Sequence, residues 1–558
     1  MNKKVVQGAA LKELARNDQT LGAEIIADYL IHKKVPYIVG VSGHGIMGML
    51  DAFFDRKDKI KTFSLHHESA GPYIADAYYR ITHRPLAAYA SCGPGSSNLY
   101  IGVAAAQVDS SAMLVITGNV ATSHWNKGTF QESAQYFQGD FVNSLRPYVK
   151  RSFQPTRADM LPASLRQAFD LMETGQTGPV HLDVPFNVFR EPIDRIALEK
   201  EMWPPQKRGR SGADMKFIRE ALQLLSSATR PLIVAGHGVQ LAEAEPELQA
   251  LAEFLQIPVA NTPMAKDVFD NGHPLSLGQL GRNGTYHGNG ASRSADVILA
   301  IGTSFDDRST SAWLPGHTYN FPKTKLIHID SDPSQIGKNF PVTLGIVGDA
   351  CIVLQQLIDT ARESSQPKPR YEAWLADIKR WQEKWVAHQA RHQHSDAKPI
   401  RPERFIYDLR RILPEDAILV ADIGLHHNWL ISEWQPRRPR SFLHNWGFGS
   451  MGFGVAAPIG AKLAAPDRPV VSVCGDGGFL MLPSAILTAV EYNLPVVWIV
   501  WNNYGYVSIR DVQSATLGAN REIATSFRND RTGELFTTDF AMMARSMGAN
   551  GVVVEEPR

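Results

Sequence analysis

Apolar residues along this chain fall into short runs, each closed by glycine or a small polar cluster and followed by a stretch with helical spacing. Residues 21–30 read as a helix and 35–41 as a buried strand ending in Ser42-Gly43-His44-Gly45, with another helix over 46–54. A strand over 60–65 then delivers His66-His67-Glu68 at its carboxyl end. A helix over 70–80 leads to a strand over 86–91 and the turn Cys92-Gly93-Pro94-Gly95-Ser96-Ser97-Asn98. Strands over 112–117 and 180–184 complete the series. Strand alternating with helix in this way predicts a parallel, doubly wound sheet.

Two more blocks repeat the pattern. Strands are expected over 231–235, before Gly236-His237-Gly238, and over 258–260, 297–301 and 325–329. The last block opens at 418–424, passes through the glycine-rich 446–454, and reaches a strand over 470–474, a helix over 483–491 and a strand over 496–501. A helix over 540–546 and a strand over 551–554 follow, and a further helix and strand are expected beyond Arg558. Between blocks lie a polar, turn-rich linker at 203–212 and a charged segment, 363–401, whose Trp374, Trp381 and Trp385 mark an amphipathic helix. The expectation is an α/β protein of three doubly wound parallel-sheet domains: 1–195, 205–362 and 395–558.

Bulk properties narrow the function. The chain has 558 residues, 44% hydrophobic and 20% charged, with a net charge of +1. That balance gives no reason to expect nucleic acid or an anionic membrane as partner, and no apolar run is long enough to span a bilayer. Only Cys92, Cys351 and Cys474 are present, without metal spacing, which points to a reduced, cytoplasmic setting.

Chemistry concentrates in 475–505, GDGGFLMLPSAILTAVEYNLPVVWIVWNNYG. Asp476 offers a hard carboxylate, Asn503 an amide oxygen, and the backbone at Gly505 can turn a carbonyl inward. Magnesium takes six such oxygens, the remainder from phosphate and water. Gly475, Gly477 and Gly478 let the backbone approach a diphosphate closely, and a helix amino terminus beyond them favours its charge. Alone, Gly-Asp-Gly reads equally as a strand-ending turn.

The whole block resembles the thiamine-diphosphate signature, which opens with Gly-Asp-Gly and closes with Asn-Asn. Together with HHESA at Glu68, SCGPGSSN, GTFQES, SFDDR, HIDSDP, GIVGDA and GSMGFG, the chain resembles the acetolactate synthase branch of the thiamine-diphosphate enzymes over nearly its whole length. That resemblance implies a pyrimidine-binding block first, a nucleotide-like block second and a diphosphate-binding block last. Glu68 would drive the cofactor's aminopyrimidine, Met451 would support the bent cofactor, and Phe130 and Gln131 would lie near the reacting carbon. Gly45, Asn98, Gly424, His426, His427, Ser450 and Tyr506 would line the cofactor. Asp476, Asn503 and the Gly505 carbonyl would hold Mg2+. Arg308, Asp330 and Asp349 fit the pattern by which this branch carries FAD.

The reaction implied is decarboxylation of a 2-oxo acid such as pyruvate and joining of the acyl carbanion to a second carbonyl, in a homodimer or homotetramer with active sites at the subunit interface. Some positions depart from the family. Arg282 replaces the methionine of a Gly-Met-His-Gly turn, Gln176 an arginine, Phe186 a lysine, and Ser69 a glutamine. Arg282 would suit an anionic acceptor, so a sulfoacetaldehyde acetyltransferase-like enzyme and a simple decarboxylase are alternatives. A cofactor-binding scaffold paralogue is the non-enzymatic one.

Overall fold

The computed structural model describes residues 19–132, 140–194, 209–363 and 371–557. The chain divides into two compact units, one of 1–207 with 447–465 and 482–494, the other of 208–446 with 466–481 and 495–558. Helices flank parallel sheets in both.

The first unit holds a six-stranded sheet. Its strands are β2 (Tyr37–Gly40), β3 (Lys61–Ser64), β4 (Ala87–Ala90), β5 (Leu114–Asn119), β6 (Ser152–Phe153) and β7 (Val180–Pro185), in spatial order β3-β2-β4-β5-β7-β6. Every pairing is parallel. An antiparallel pair, β1 (Gln19–Leu21) with β8 (Pro192–Asp194), lies apart from it. Strands β4, β5 and β7 are buried at every residue, as a sheet covered on both faces requires. The order reverses between β2 and β4, and there the strand ends press together: a Cβ on Gly43 would meet the Ser91 Cβ at 2.4 Å.

The same unit buries a polar knot. Helix Phe453–Ala464 packs along helix Ala70–Thr82 so closely that a Cβ on Gly460 would lie 2.0 Å from the Ile74 carbonyl oxygen. Beside this crossing the Arg80 guanidinium donates to Asp76 at 2.6 and 3.0 Å and to Asp109 at 3.0 Å. Ser111 donates to Asp76 at 2.5 Å, and the Gly447 N–H to Asp109 at 2.9 Å. Burial pushes the Asp109 carboxyl up to about 6, against the pull of Arg80.

The second unit carries two parallel sheets. Strands β9 (Pro231–Ala235), β10 (Val259–Asn261), β11 (Ser276–Gln279), β12 (Val297–Ile301), β13 (Lys325–Asp330) and β14 (Leu344–Val347) run in the order β11-β10-β9-β12-β13-β14. Its direction reverses between β9 and β12, where a Cβ on Gly236 would lie 2.2 Å from the Gly302 carbonyl oxygen. The other sheet, β16-β15-β17-β18, comprises β15 (Ile418–Ala421), β16 (Phe442–His444), β17 (Val470–Gly475) and β18 (Val497–Trp501). Leu419, Ala421, Val471 and Val473 form its core with Leu430, Ile431 and Trp434.

Two expectations need correction, and one falls outside the described residues. Residues 551–554 are not a strand: Val552 is 84% exposed and pairs with no ladder among the described residues. High β-propensity without a neighbouring edge does not make a strand. The helix expected from 483 begins at Ala485, after a turn in which the Ala485 N–H donates to the Leu482 carbonyl. Of the linker 203–212, the stretch 203–208 lies outside the described residues.

Replacing Arg80 by methionine leaves Asp76 and Asp109 buried without their cation. Chemical denaturation should show a loss of about 3–5 kcal/mol, the usual cost of breaking a buried pair by removing one partner.

Candidate active site

The third sheet reverses direction between β15 and β17, and the Gly-Asp-Gly-Gly turn sits on that gap. Gly478 is pressed so close that a Cβ there would lie 2.2 Å from Asp422 Oδ2. Asp476 is 2% exposed. Its Oδ1 accepts the Gly477 N–H at 2.8 Å, and its Oδ2 accepts the N–H groups of Gly505 at 3.0 Å and Asn503 at 3.3 Å. Burial raises the carboxyl above the usual range, and these backbone donors oppose the shift.

The side-chain oxygen of Asn503 lies 2.9 Å from the Gly505 carbonyl oxygen and 3.3 Å from Asp476 Oδ1. So placed the oxygen faces two acceptors, and hydrogen bonding alone favours the amide turned over with its nitrogen inward; a cation among the three oxygens would reverse that preference. Adjacent ligands of an octahedral Mg2+ with bonds near 2.0–2.1 Å stand about 2.9 Å apart, so the donor set fits that ion. Turned over, the same amide would donate its N–H groups to both oxygens. Neighbouring Asn502 is otherwise engaged, accepting from the Thr537 hydroxyl at 3.0 Å. Among the described residues no three His, Cys, Asp or Glu side chains cluster as a metal site.

Around this triangle, Tyr506 lies against Gly477, whose Cβ would come 2.4 Å from the ring. The His426 ring covers the gap between Gly424 and Gly475, where Cβ atoms would meet it at 2.9 and 3.3 Å. His426 is 4% exposed, and its Nε2 is buried with no hydrogen-bond partner. Burial lowers its pKa to about 4. The other ring nitrogen is engaged by the Asp422 backbone, so neutral Nε2 offers a lone pair to a donor, while the glycine cradle beside it, which a Cβ would fill, is where a group such as diphosphate would fit.

His427 does other work. Its Nε2 stands 2.8 Å from His444 Nδ1, and His444 Nε2 stands 3.1 Å from the Pro263 carbonyl. A carbonyl only accepts, so His444 carries its proton on Nε2 and His427 donates to His444 Nδ1. Burial holds His427 down to about 3.

In the first unit the carboxyl ends of β2 to β5 gather the remaining residues. Glu68, half-buried, accepts from Asn98 Nδ2 at 2.9 Å, while the Ser69 hydroxyl donates to the Asn98 carbonyl at 2.6 Å. A Cβ on Gly95 would lie 3.2 Å from Glu68 Oε1. The Gly45 N–H donates to Ser91 Oγ at 3.2 Å. Phe130, 77% exposed, stacks on His44 at 6.2 Å, and Gln131, in the left-handed region at φ +62°, has its Oε1 3.7 Å from Cys92 Sγ. Cys92 Sγ is also 3.7 Å from His44 Nε2. Half-buried Met451 lies between Gly449 and Gly452, at φ +69° and +93°, and the neighbouring Ser450 hydroxyl accepts from Tyr73 at 2.8 Å.

Family profiles match all three blocks. The thiamine pyrophosphate enzyme N-terminal TPP binding domain covers residues 20–138, the central domain 218–357 and the C-terminal TPP binding domain 422–558. The chain belongs to the thiamine pyrophosphate enzyme family. Among its relatives, the probable acetolactate synthase large subunit of Methanocaldococcus jannaschii is 35% identical over 547 residues, covering 96% of this chain and 88% of that protein. The acetolactate synthase isozyme 3 large subunit of Escherichia coli is 31% identical over 96% of this chain and 90% of its own length. The Corynebacterium glutamicum acetolactate synthase large subunit is 32% identical over 97% and 83%.

Within this thiamine pyrophosphate enzyme the structure brings together Asp476, Asn503, Gly505, Gly477 and Tyr506, and in the first unit Glu68 with Asn98 and Gln131 with Phe130. Arg308, Asp330 and Asp349 do not form one cluster. Arg308 is exposed, Asp330 is raised to about 6 by burial, and Asp349 caps its own helix through the N–H groups of Cys351 and Ile352 while Arg210 stands 3.7 Å away. Arg308 and Asp349 follow β12 and β14 and Asp330 ends β13, the strands on one side of the reversal. Sequence reasoning missed His44 and Cys92 as neighbours of Gln131. Their one signal was placement directly after strands β2 and β4.

His427 is neutral in the fold and free to protonate once unfolded, below its ordinary 6.5. Stability therefore falls as pH drops from about 6.5 toward 3. Urea unfolding at pH 7 and pH 5 should show a smaller loss for His427→Gln than for the unchanged chain.

Proposed function

We propose that this chain is a thiamine-diphosphate carboligase of the acetolactate synthase type, acting on 2-oxo acids, with 1–195, 205–362 and 395–558 as its pyrimidine-binding, central and diphosphate-binding domains. The observation carrying this reading is the convergence of the buried Asp476 carboxylate, the Asn503 amide and the Gly505 carbonyl on the glycine turn that ends β17. Bound thiamine diphosphate supplies the electron sink that lets a 2-oxo acid lose carbon dioxide and its remaining acyl fragment join a second carbonyl.

The protein's own part is binding, orientation and proton handling. Asp476, Asn503 and the Gly505 carbonyl hold Mg2+ against the diphosphate. Gly475, Gly477, Gly478, Gly424, His426 and Tyr506 line that end, with His427 fixing the ring of His444 behind it. Glu68, positioned by Asn98, holds or releases a proton at the pyrimidine ring. Gly45, Ser450 and Met451 shape the ring's seat. Phe130 and Gln131 face the reacting substrate. The active enzyme is a cytoplasmic homodimer or homotetramer. Among the described residues no helix is long and apolar enough to cross a membrane. A second reading, acyl transfer to an anionic acceptor, is favoured by the exposed Arg282, whose N–H is held by the Arg308 carbonyl at 2.9 Å.

Incubating the purified protein with thiamine diphosphate, Mg2+ and a panel of 2-oxo acids, with products read by mass, tests the reading. Acetolactate from pyruvate is the expected product, and acetyl phosphate from sulfoacetaldehyde and phosphate would favour the second reading. Glu68→Gln should lower turnover by about 10²-fold or more while leaving cofactor binding intact; an unchanged rate removes Glu68 from catalysis.

FAD is the second cofactor proposed, held by Arg308, Asp330 and Asp349. The purified chain is expected to show flavin absorption bands, and a colourless protein that takes up no added flavin would exclude it.

A further inference from the structure

The segments that follow β2, β4 and β5 bring His44, Cys92 and Gln131 together. His44 is exposed in the turn between Gly43 and Gly45, and its ring stacks on Phe130 with the two planes 25° apart. Neither His44 nor Cys92 belongs to the cofactor's seat.

The imidazole is anchored by one nitrogen. Its Nε2 stands 3.7 Å from Cys92 Sγ, while Nδ1 has no hydrogen-bond partner among the described residues. Cys92 is 1% exposed, and burial pushes its thiol above the usual range, so the thiol keeps its proton. Sγ also stands 3.7 Å from Gln131 Oε1. Whichever of its two neighbours takes the thiol proton, His44 Nδ1 is left without a protein partner.

Joining an acyl fragment to a second carbonyl consumes a proton. The fragment's electron pair forms the new C–C bond, the π pair of the acceptor carbonyl moves onto its oxygen, and that oxygen must then be protonated. Phe130 has no such proton, and the Gln131 amide does not titrate. Glu132, next in the chain, accepts the N–H groups of Asn126 and Thr129. Glu68, bonded to Asn98 at 2.9 Å, has the pyrimidine ring to serve. An imidazole fixed at one nitrogen and open at the other can give a proton to a ligand and regain it from water.

We propose that His44 is a catalytic residue of the joining step, giving a proton from Nδ1 to the carbonyl oxygen of the acceptor beside Phe130 and Gln131; this rests on the carboligase reading. The imidazolium loses one proton per product, the acceptor oxygen becomes the product's hydroxyl, and water restores the imidazolium. Cys92, at Nε2, holds the ring for that transfer.

Rapid-quench measurements on the full chain, loaded with thiamine diphosphate and Mg2+ and mixed with pyruvate, test this with His44→Gln and His44→Ala. Both variants should release the first equivalent of carbon dioxide per site as fast as the unchanged chain, which also shows that they fold. Both should form acetolactate about 10²-fold more slowly. Calorimetry with 2-hydroxy-2-methylpropanoate gives a readout independent of turnover, since that acid has a hydroxyl and a carboxylate but no 2-oxo group. Its affinity should be about tenfold lower in His44→Ala than in the unchanged chain. Acetolactate formed at the unchanged rate by both variants, a first release of carbon dioxide slowed as much as acetolactate, or equal affinity for the hydroxy acid would overturn the proposal. If the unchanged chain itself makes no acetolactate, the carboligase reading falls and this proposal with it; if it does and the variants match it, only the proposal falls.

Discussion

Everything chemical in this protein depends on a steric allowance: two parallel strands that diverge in connection can bring their ends together only where a side chain is missing. Gly43 against Ser91, Gly236 against Gly302 and Gly478 against Asp422 repeat that solution in three separate sheets. At each point the helices depart to opposite faces and open a crevice at the strand ends. The glycine turn of β17 is the most exacting of them, because Asp476 must be buried there and still accept three backbone N–H groups. A Cβ on Gly477 or Gly478 would drive Tyr506 or Asp422 away and take the arrangement with it.

Burial of charge is handled in two different ways. Around Arg80 the fold supplies the counter-charges itself, and Asp76 and Asp109 are satisfied without any ligand. Around Asp476 it supplies only dipoles, the backbone N–H groups of Gly477, Asn503 and Gly505, and the Asn503 oxygen would add negative potential at the same spot when turned inward. The first arrangement belongs to a scaffold. The second is costly for the chain alone and would become favourable with a divalent cation beside it.

The sequence made strands legible where they are buried on both faces, because β4, β9 and β12 are nearly unbroken apolar runs. It hid those whose composition is ordinary. Strand β11, Ser276 to Gln279, contains polar residues and a glycine, β16 is three residues beside an Arg- and Pro-rich stretch, and β6 is two residues long. Val552 to Val554 shows the converse, residues of high propensity with no partner strand. In the site, Asp476 and Asn503 could be read together because one strand-helix-strand unit carries both. His44, Cys92 and Gln131 come from the ends of different strands, so their proximity exists only in three dimensions.

The side-chain amide of Asn503 gives the oxygen triangle two faces. With its oxygen inward it completes a ligand set, and with its nitrogen inward it ties the Gly505 carbonyl and Asp476 into a self-contained ring. An ion arriving at this turn would therefore have to compete with that internal ring. A doubly charged ion would meet the competition with more Coulomb energy than a singly charged one, so this amide rotor would bear on which cations the turn retains.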